Sequence, residues 1–568
     1  MMTPSQSKPW RILRRCLIGV AVFLTLIATF YTEESWRGKR AWENYKRALE
    51  AKGIKMDWAE DIPAPVPDEQ NVLAVPEMQK LVFGGLSGRL YDVNPIGESN
   101  RPSALMVVAD VVTGPPGAIP LSGFTALSYG DPQAKAEVSR LIKDAVAPYF
   151  NDPWGLIHIL RRPEEIQPAR ILLECQTTPT AKELEQFFPG WSVDLSGEPK
   201  EAHIEPSGNG SYKVTMEAPG TAAEFLASYA PLEPEFTLMR QALQRPYARI
   251  VGDYQDSKAD LYQLSGFGNV ARTLGALAQC HLLLGQPEEA LRDLTLSQDL
   301  CRILECLPRN QWGLLVTLIH ETVTAINTSV IADGLRRRAW REPQLAALQE
   351  QLKKINFVSD LRQYFLTRPA AVSHHYENIT PSDLGDSVLG RSEDETNAWA
   401  KLKSSLVGQL IPRGWVCQNM VQLANGYQAF SESTDSSGQM MFPKKVDDAG
   451  IMAGSHASPY HFLAIRSMPR YSKNFRGSAK VQTEVHEALI ACALERYRLA
   501  RNSYPETLDA LVPQFLDKIP ADLIGGQPLH YRRAEDGKFL LYSVGWNETD
   551  DGGKPHSEDD WVWDDTVR

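Results

Sequence analysis

The first strong pattern in the chain is an uninterrupted apolar run, CLIGVAVFLTLIATFY from Cys16 to Tyr31, preceded by Arg11, Arg14 and Arg15 and flanked by Trp10 and Tyr31. A hydrocarbon core needs ~20 apolar residues in a helix, and Ile12, Leu13 and snorkelling arginines extend the run to that length. Residues 11–32 therefore read as one transmembrane signal anchor behind a short tail of residues 1–10. The alternative is a cleaved signal peptide, and against it stands the lack of a small-x-small cleavage site, since Ala28 is followed by Thr29, Phe30 and Tyr31. The basic cluster Lys8, Arg11, Arg14 and Arg15 favours a cytoplasmic N-terminus, a bias blunted by Arg37, Lys39 and Arg40 on the other side. The placement that follows is a single-pass protein of the bacterial inner membrane with its bulk in the periplasm. Beyond the run, Trp42, Tyr45 and Leu49 recur at helical spacing and predict an amphipathic juxtamembrane helix. Pro63, Pro65 and Pro67 end it and make residues 33–69 a helix plus a stiff linker.

Residues 70–260 mix periods. Ile171 to Cys175 has the apolar character of a buried strand, Lys182 to Phe188 reads as a helix, and Ser211 to Ala218 alternates as a strand, which predicts a mixed α+β domain. From 261 to 370 the pattern is helical. Asn269 to Leu300 reads as two amphipathic helices separated by Gly285, Gln286 and Pro287, with Leu274, Leu277, Ala278, Ala290 and Leu294 at close-packing positions. This hairpin resembles a tetratricopeptide unit. The helices expected at Leu314 to Arg338 and Gln344 to Ile355 lack that pattern, which leaves a generic helical domain as the alternative. Residues 371–475 read as a helical and irregular connector, turn-rich to about 400 and then helical from Leu402 to Phe430 with a break at Pro412 and Gly414. His374, His375 and Glu377 fall in the turn-rich part and read as solvated loop residues rather than metal ligands.

The C-terminal segment, 476–568, carries the clearest local signals. Val485, Leu489, Ile490, Leu494 and Tyr497 form the apolar stripe of a helix that Asn502 closes; Tyr504 and Pro505 turn the chain, and Pro520 ends a short second segment from Glu506 to Leu516. Two strands follow, one marked by Leu529 and Tyr531, the other by Phe539, Leu541 and Ser543, with Asp536 and Gly537 as the hairpin turn. The fold class is accordingly multidomain α+β: one membrane helix, a mixed α+β domain, a mainly helical middle and a C-terminal helix with a small antiparallel sheet.

Composition removes some possibilities. A net charge of −11 offers no broad cationic surface for nucleic acid, and 43% hydrophobic with 23% charged residues is ordinary for globular protein. The seven cysteines, at 16, 175, 280, 301, 306, 417 and 492, lack the paired short spacing of zinc or redox motifs. A Gly-x-Ser-x-Gly elbow, a His-Glu-x-x-His helix and a phosphate-cradling glycine loop are all missing from the sequence. His486 sits on the packing helix and reads as structural. No catalytic residue is assigned.

The stretch ALERYRLARNSYPETLDALVPQFLDKIPADLIGGQPLHYR, followed by LLYSVGWNETDDGG, resembles the periplasmic head of the major G-type pseudopilin of type II secretion. The shared features are the long helix, the Tyr504–Pro505 corner, the approach at Ile519 and Pro520, the Gly-x-Pro-x-x-Tyr strand from Gly526 to Tyr531 and the Tyr-Ser-x-Gly strand end from Tyr542 to Gly545. The chain departs from that family in placing several hundred residues between anchor and head, and in lacking the basic leader and nearby Glu of a pilus subunit, so the module reads as a fused domain. The whole arrangement also resembles uncharacterised membrane-anchored proteins of planctomycete-type and verrucomicrobial bacteria. The pseudopilin resemblance implies calcium in the loop after the second strand, where Asn547, Asp550, Asp551, Glu558, Asp559 and Asp560 offer oxygens; a solvated acidic tail is the alternative. The functional expectation is a membrane-anchored structural or interaction protein of the envelope, docking an envelope protein partner. An accessory of a type II secretion or pilus-like system and an envelope-polymer hydrolase are the alternatives.

Overall fold

The computed structural model describes residues 8–57, 64–76, 78, 106–113, 126–128, 169–175, 203–207, 211–217, 222–249, 265–306, 309–389, 398–454, 458–467, 469–534, 537–554 and 560–563, with only the backbone given for the strands between 106 and 217. The described residues are mostly helical. The helix expected at Lys182 to Phe188 and the ligand candidates Glu558 and Asp559 lie outside them.

The apolar run and the juxtamembrane stripe form one unbroken helix, α1 (Lys8–Ala51), of 44 residues and so about 66 Å. Its first half exposes its side chains all round: Leu17, Ile18, Phe23, Leu24 and Leu26 are each more than 50% exposed. From Glu34 onward burial recurs at Glu34, Gly38, Trp42 and Leu49, the stripe that the spacing predicts. That stripe does not stand free on the membrane. It packs along α11 (Arg413–Ser431), and the closest approach is backbone on backbone: a Cβ added to Gly38 would lie 2.1 Å from the Gly414 carbonyl oxygen, and one added to Gly414 would lie 1.8 Å from that of Glu34. Trp42 and Leu49 enter a core with Leu361 and Phe365 of α8 (Phe357–Asn378), Met420 and Phe430 of α11, and Phe475 of α14 (Pro469–Arg501).

The strands β1 (Met106–Thr113), β2 (Ala126–Ser128), β3 (Ala169–Cys175), β4 (His203–Ser207) and β5 (Ser211–Glu217) form a sheet in the order β2-β1-β3-β5-β4, each pair antiparallel, with Ile171 opposite Met216. The expected strands at Ile171 to Cys175 and Ser211 to Ala218 are β3 and β5. Two helices follow, α2 (Ala222–Tyr229) and α3 (Glu233–Ala242). Val72 and Leu73, beyond the proline-rich stretch, are buried with Phe236, Met239 and Phe267. Asn71 ties this turn to a distant one: its amide donates to the Arg249 carbonyl at 2.9 Å and its Oδ1 accepts from the Leu73 and Arg249 amides.

The predicted helical hairpin is α4 (Ser265–Leu283) and α5 (Pro287–Leu300), turned at Gly285 with φ +72°. It leads to α6 (Arg309–Arg336) and α7 (Glu342–Leu352). Part of α6, 313–336, is apolar and long enough to cross a membrane, but half of that stretch is buried inside the protein, which makes it a core helix. His374, His375 and Glu377 lie on the last turns of α8 and not on a loop; the Glu377 carboxylate accepts from Trp42 Nε1 at 3.1 Å and from Ser373 Oγ at 2.7 Å. The connector segment is likewise more ordered than its turn-forming composition predicts, with α9 (Pro381–Leu389), α10 (Ala398–Gln409), α11, α12 (Pro443–Gly454) and α13 (Phe462–Ser467). The expected break falls at Pro412, between α10 and α11; Gly414 is not part of it but lies in the first turn of α11.

Candidate functional site in the C-terminal head

The segment that carries the sequence signals folds as α14 followed by a three-stranded antiparallel sheet of β6 (His530–Arg533), β7 (Phe539–Ser543) and β8 (Trp561–Val562). β8 has no sequence signal; it is two residues long and pairs Ser543 with Trp561. Asn502 adopts φ +60° and ends α14, the left-handed position that Asn tolerates better than most residues. Tyr504 stacks edge-on against Phe539 and donates to Glu495 Oε2 at 3.0 Å, while Tyr531 donates to the Pro505 carbonyl at 2.7 Å. The tyrosines of the corner and of the first strand thus fasten helix to sheet through hydroxyl groups.

Asp522 organises the far side of the head. This carboxylate is 2% exposed and accepts from the Ile524 amide (2.9 Å), Ser543 Oγ (2.8 Å) and the Val544 amide (3.2 Å). Ser543 Oγ accepts in turn from the Gly545 amide at 3.1 Å, and Gly545 sits at φ +65°. The Tyr-Ser-x-Gly spacing therefore has a local cause: the serine links the strand end to Asp522, and the glycine makes the turn.

The acidic loop follows directly. Asp550 Oδ1 accepts from Tyr542 Oη and the Gly552 amide, each at 2.9 Å, and these two donors hold its carboxyl below the usual carboxylate range. His530 stacks on Tyr542 and places Nδ1 3.5 Å from Asp550 Oδ2. Asp551 Oδ2 accepts from Asn547 Nδ2 at 3.0 Å, whose Oδ1 accepts from the Thr549 amide. Asp560 is buried and spends both oxygens on backbone: Oδ1 accepts from the Asp551 amide at 3.3 Å and Oδ2 from the Gly553 amide at 2.7 Å. Of the six residues that the sequence nominates for calcium, the four described ones therefore share a loop but turn their oxygens to the loop's own donors. Among the described residues no three His, Cys, Asp or Glu side chains converge as a metal cage. Bonds from backbone amides to the carboxylates of Asp550 and Asp560 close the described part of the loop.

Beside the head lies a group of acids that no motif announces. Glu484 of α14 and Asp522 lie close enough to Glu487 of α14 to add to the rise in its proton affinity that burial causes. Burial pushes Glu484 up to about 6 and Glu487 well above the usual carboxylate range. Glu487 is 1% exposed, and its Oε1 has no hydrogen-bond partner among the described residues, so burial favours its protonated form. His486 is lowered to about 4 by burial, and its Nδ1 lies 3.2 Å from the Ala521 carbonyl. A buried imidazole committed to a carbonyl is a packing group, and among the described residues no hydroxyl or thiol is bonded to it. Elsewhere Ser458 Oγ and His461 Nδ1 are 2.8 Å apart, within one turn at the start of α13. That pair closes a local turn, since the Tyr460 amide also donates to the same hydroxyl.

Glu34 is the second polar centre that the sequence does not reveal. It is 6% exposed, receives Trp415 Nε1 at 3.1 Å and Tyr460 Oη at 3.3 Å, and pairs with Arg37 at 2.8 Å. About one turn beyond the apolar run, α1 is fixed there to α11 and to the segment before α13. No family model matches the chain, and neither a curated protein nor a solved structure matches it, so the pseudopilin resemblance rests on the residues quoted for it.

Proposed function

We propose that this chain is a single-pass inner-membrane protein whose periplasmic bulk is a rigid platform for docking another envelope protein. The observation that carries this reading is the continuity of α1, which passes from an exposed apolar span directly into a core held by Glu34, Trp42 and the Gly38–Gly414 contact. A signal peptide is removed by cutting between span and mature domain; here that boundary is internal to a helix, and Tyr31 Oη donates to the Leu410 carbonyl at 2.6 Å. An anchor built into the core also gives the platform a set orientation to the membrane, which a flexible tether does not. The test combines alkaline carbonate extraction, N-terminal sequencing and a C-terminal alkaline phosphatase fusion. Retention in the membrane, an intact start and an active fusion are expected; a mature chain beginning after Tyr31, or an inactive fusion, defeats the reading.

A second reading, an accessory of a type II secretion or pilus-like system, is favoured by one specific feature. The corner at Tyr504, the strand ending at Tyr531 and the Ser543–Gly545 turn form the helix-plus-sheet arrangement that the resemblance implies. Calcium belongs to this reading through Asn547, Asp550, Asp551 and Asp560 together with Glu558 and Asp559. Calcium that binds only the folded loop raises the melting temperature of the full chain in detergent, and chelator reverses the rise. An unchanged melt at millimolar calcium removes the ion from the account.

A further inference from the structure

Leu402 and Leu406 of α10 and Leu410, the residue after it, form an exposed apolar stripe. Leu402, Leu406 and Leu410 are 49%, 52% and 70% exposed, and Trp399, in line with them at spacings of three and four, is 71% exposed. The opposite face is fully used. A Cβ on Gly385 of α9 would fall 1.8 Å from the Ser404 carbonyl oxygen, and one on Gly408 of α10 would fall 1.8 Å from that of Pro381, so α9 and α10 are joined backbone to backbone. Ser404 Oγ donates to Asp386 within that seam. The exposed stripe is thus an outer face of a finished hairpin, not one side of an unfinished core.

Its position says what covers it. The stripe ends at Leu410, whose carbonyl accepts the hydroxyl of Tyr31, the last residue of the apolar run in α1. That contact puts the Leu410 end of the stripe beside the end of the apolar run of α1, and no residue of the helix is more than ~18 Å from it. Lys401 and Lys403 are exposed on the same helix, and an amphipathic helix with Trp and Leu on one face and lysines beside them is the pattern of an interfacial membrane helix. We infer that the α9–α10 hairpin lies in the headgroup–acyl boundary of the bilayer that α1 crosses, with Leu402, Leu406 and Leu410 in lipid. This rests on the reading of α1 as a membrane span. Two insertions from one rigid body set the tilt of the exterior, where a single helix leaves it free to swing.

The test uses the full-length protein in vesicles of phosphatidylethanolamine and phosphatidylglycerol carrying a trace of phospholipid with a photoactivatable acyl chain, with adducts mapped by mass spectrometry. Adducts are expected on Leu402, Leu406 and Leu410 as well as on the apolar half of α1. Replacing two leucines, Leu402→Ser with Leu406→Ser, should lower α10 labelling about tenfold and leave α1 labelling unchanged, with circular dichroism confirming that the variant is folded. Labelled α1 with unlabelled α10 overturns this inference while the span stands. Absence of label on both overturns the span reading and this one with it. Cross-links between copies through α10, in place of lipid adducts, assign the stripe to a dimer contact and also overturn it.

Discussion

Single residues in this protein hold together parts of the chain that are far apart in sequence. Asp522 collects three donors from two segments, and Asp522→Ala would leave the Ile524 and Val544 amides and the Ser543 hydroxyl without an acceptor. A buried donor left unsatisfied costs about 1–3 kcal/mol, so a loss of at least about 3 kcal/mol is expected in chemical denaturation of the variant. Glu321 of α6 makes a pH prediction. Burial raises it from 4.5 to about 7; the Ser478 hydroxyl bonded to it offsets part of that rise, and Asp360 adds to it. The folded chain therefore keeps a proton that the unfolded chain gives up, and stability falls as pH rises from about 4.5 to about 7, then levels off. Glu321→Gln removes that dependence. The stability of wild type relative to the variant should decline by up to about 3 kcal/mol across the window, and parallel pH profiles for the two proteins would refute the assignment. Neither residue is legible in the sequence. Asp522 stands in an unremarked Ala-Asp-Leu, and Glu321 looks like any acid on a helix, because what distinguishes them is a partner 21 or 157 positions away.

At the level of elements, periodicity was a good guide to which face of a helix is buried and a poor one to what buries it. The spacing of Trp42, Tyr45 and Leu49 marks the inward face of α1 correctly, yet nothing in it names α11. Of the glycines that allow the contact, Gly414 reads in sequence as a helix break and Gly38 carries no signal. Their backbones touch, and Gly414→Ala is expected to force α1 and α11 apart at a cost of about 1–3 kcal/mol, or more if the helices cannot shift. A lowered melting temperature with faster proteolysis between the two helices checks this; an unchanged melt contradicts the backbone contact. The His374, His375 and Glu377 group shows the converse error. Turn-forming residues nearby suggested a loop, but Trp42 and Ser373 give Glu377 partners that keep the helix going. In the acidic loop the sequence offers oxygens from Asn547 to Asp560 that suit a calcium loop or a solvated tail alike. Where the described oxygens point depends on φ at Gly552 and Gly553, both left-handed, and on Asp560, just before β8, meeting the Asp551 and Gly553 amides.

Across the whole molecule the C-terminal head is not a separable bead. Val485, Leu489 and Leu494 of α14 share one core with Leu345, Leu348 and Leu352 of α7 and with Leu541 of the sheet. Gln349, 1% exposed, donates to the carbonyls of Leu489 and Phe515 and accepts from Arg496 at 2.6 Å, and Arg496 pairs with Glu342. Residues 476–568 expressed alone would expose the α7-facing side of α14 to water. The expected result is a segment without a cooperative thermal transition, whereas sharp unfolding of the isolated piece would show that the shared core is dispensable. The sequence by itself determined the apolar run, the helical middle and the helix-strand-strand order of the head, because those depend on period, length and turn chemistry, which are properties of neighbours along the chain. Only the tertiary structure decided that α1 continues from the apolar run into a packed core, that α14 serves both middle and head, and that the carboxylates of Asp550 and Asp560 bind backbone amides. Each of those depends on surfaces brought together from distant segments, and a one-dimensional pattern records the face a helix will bury without recording the surface that meets it.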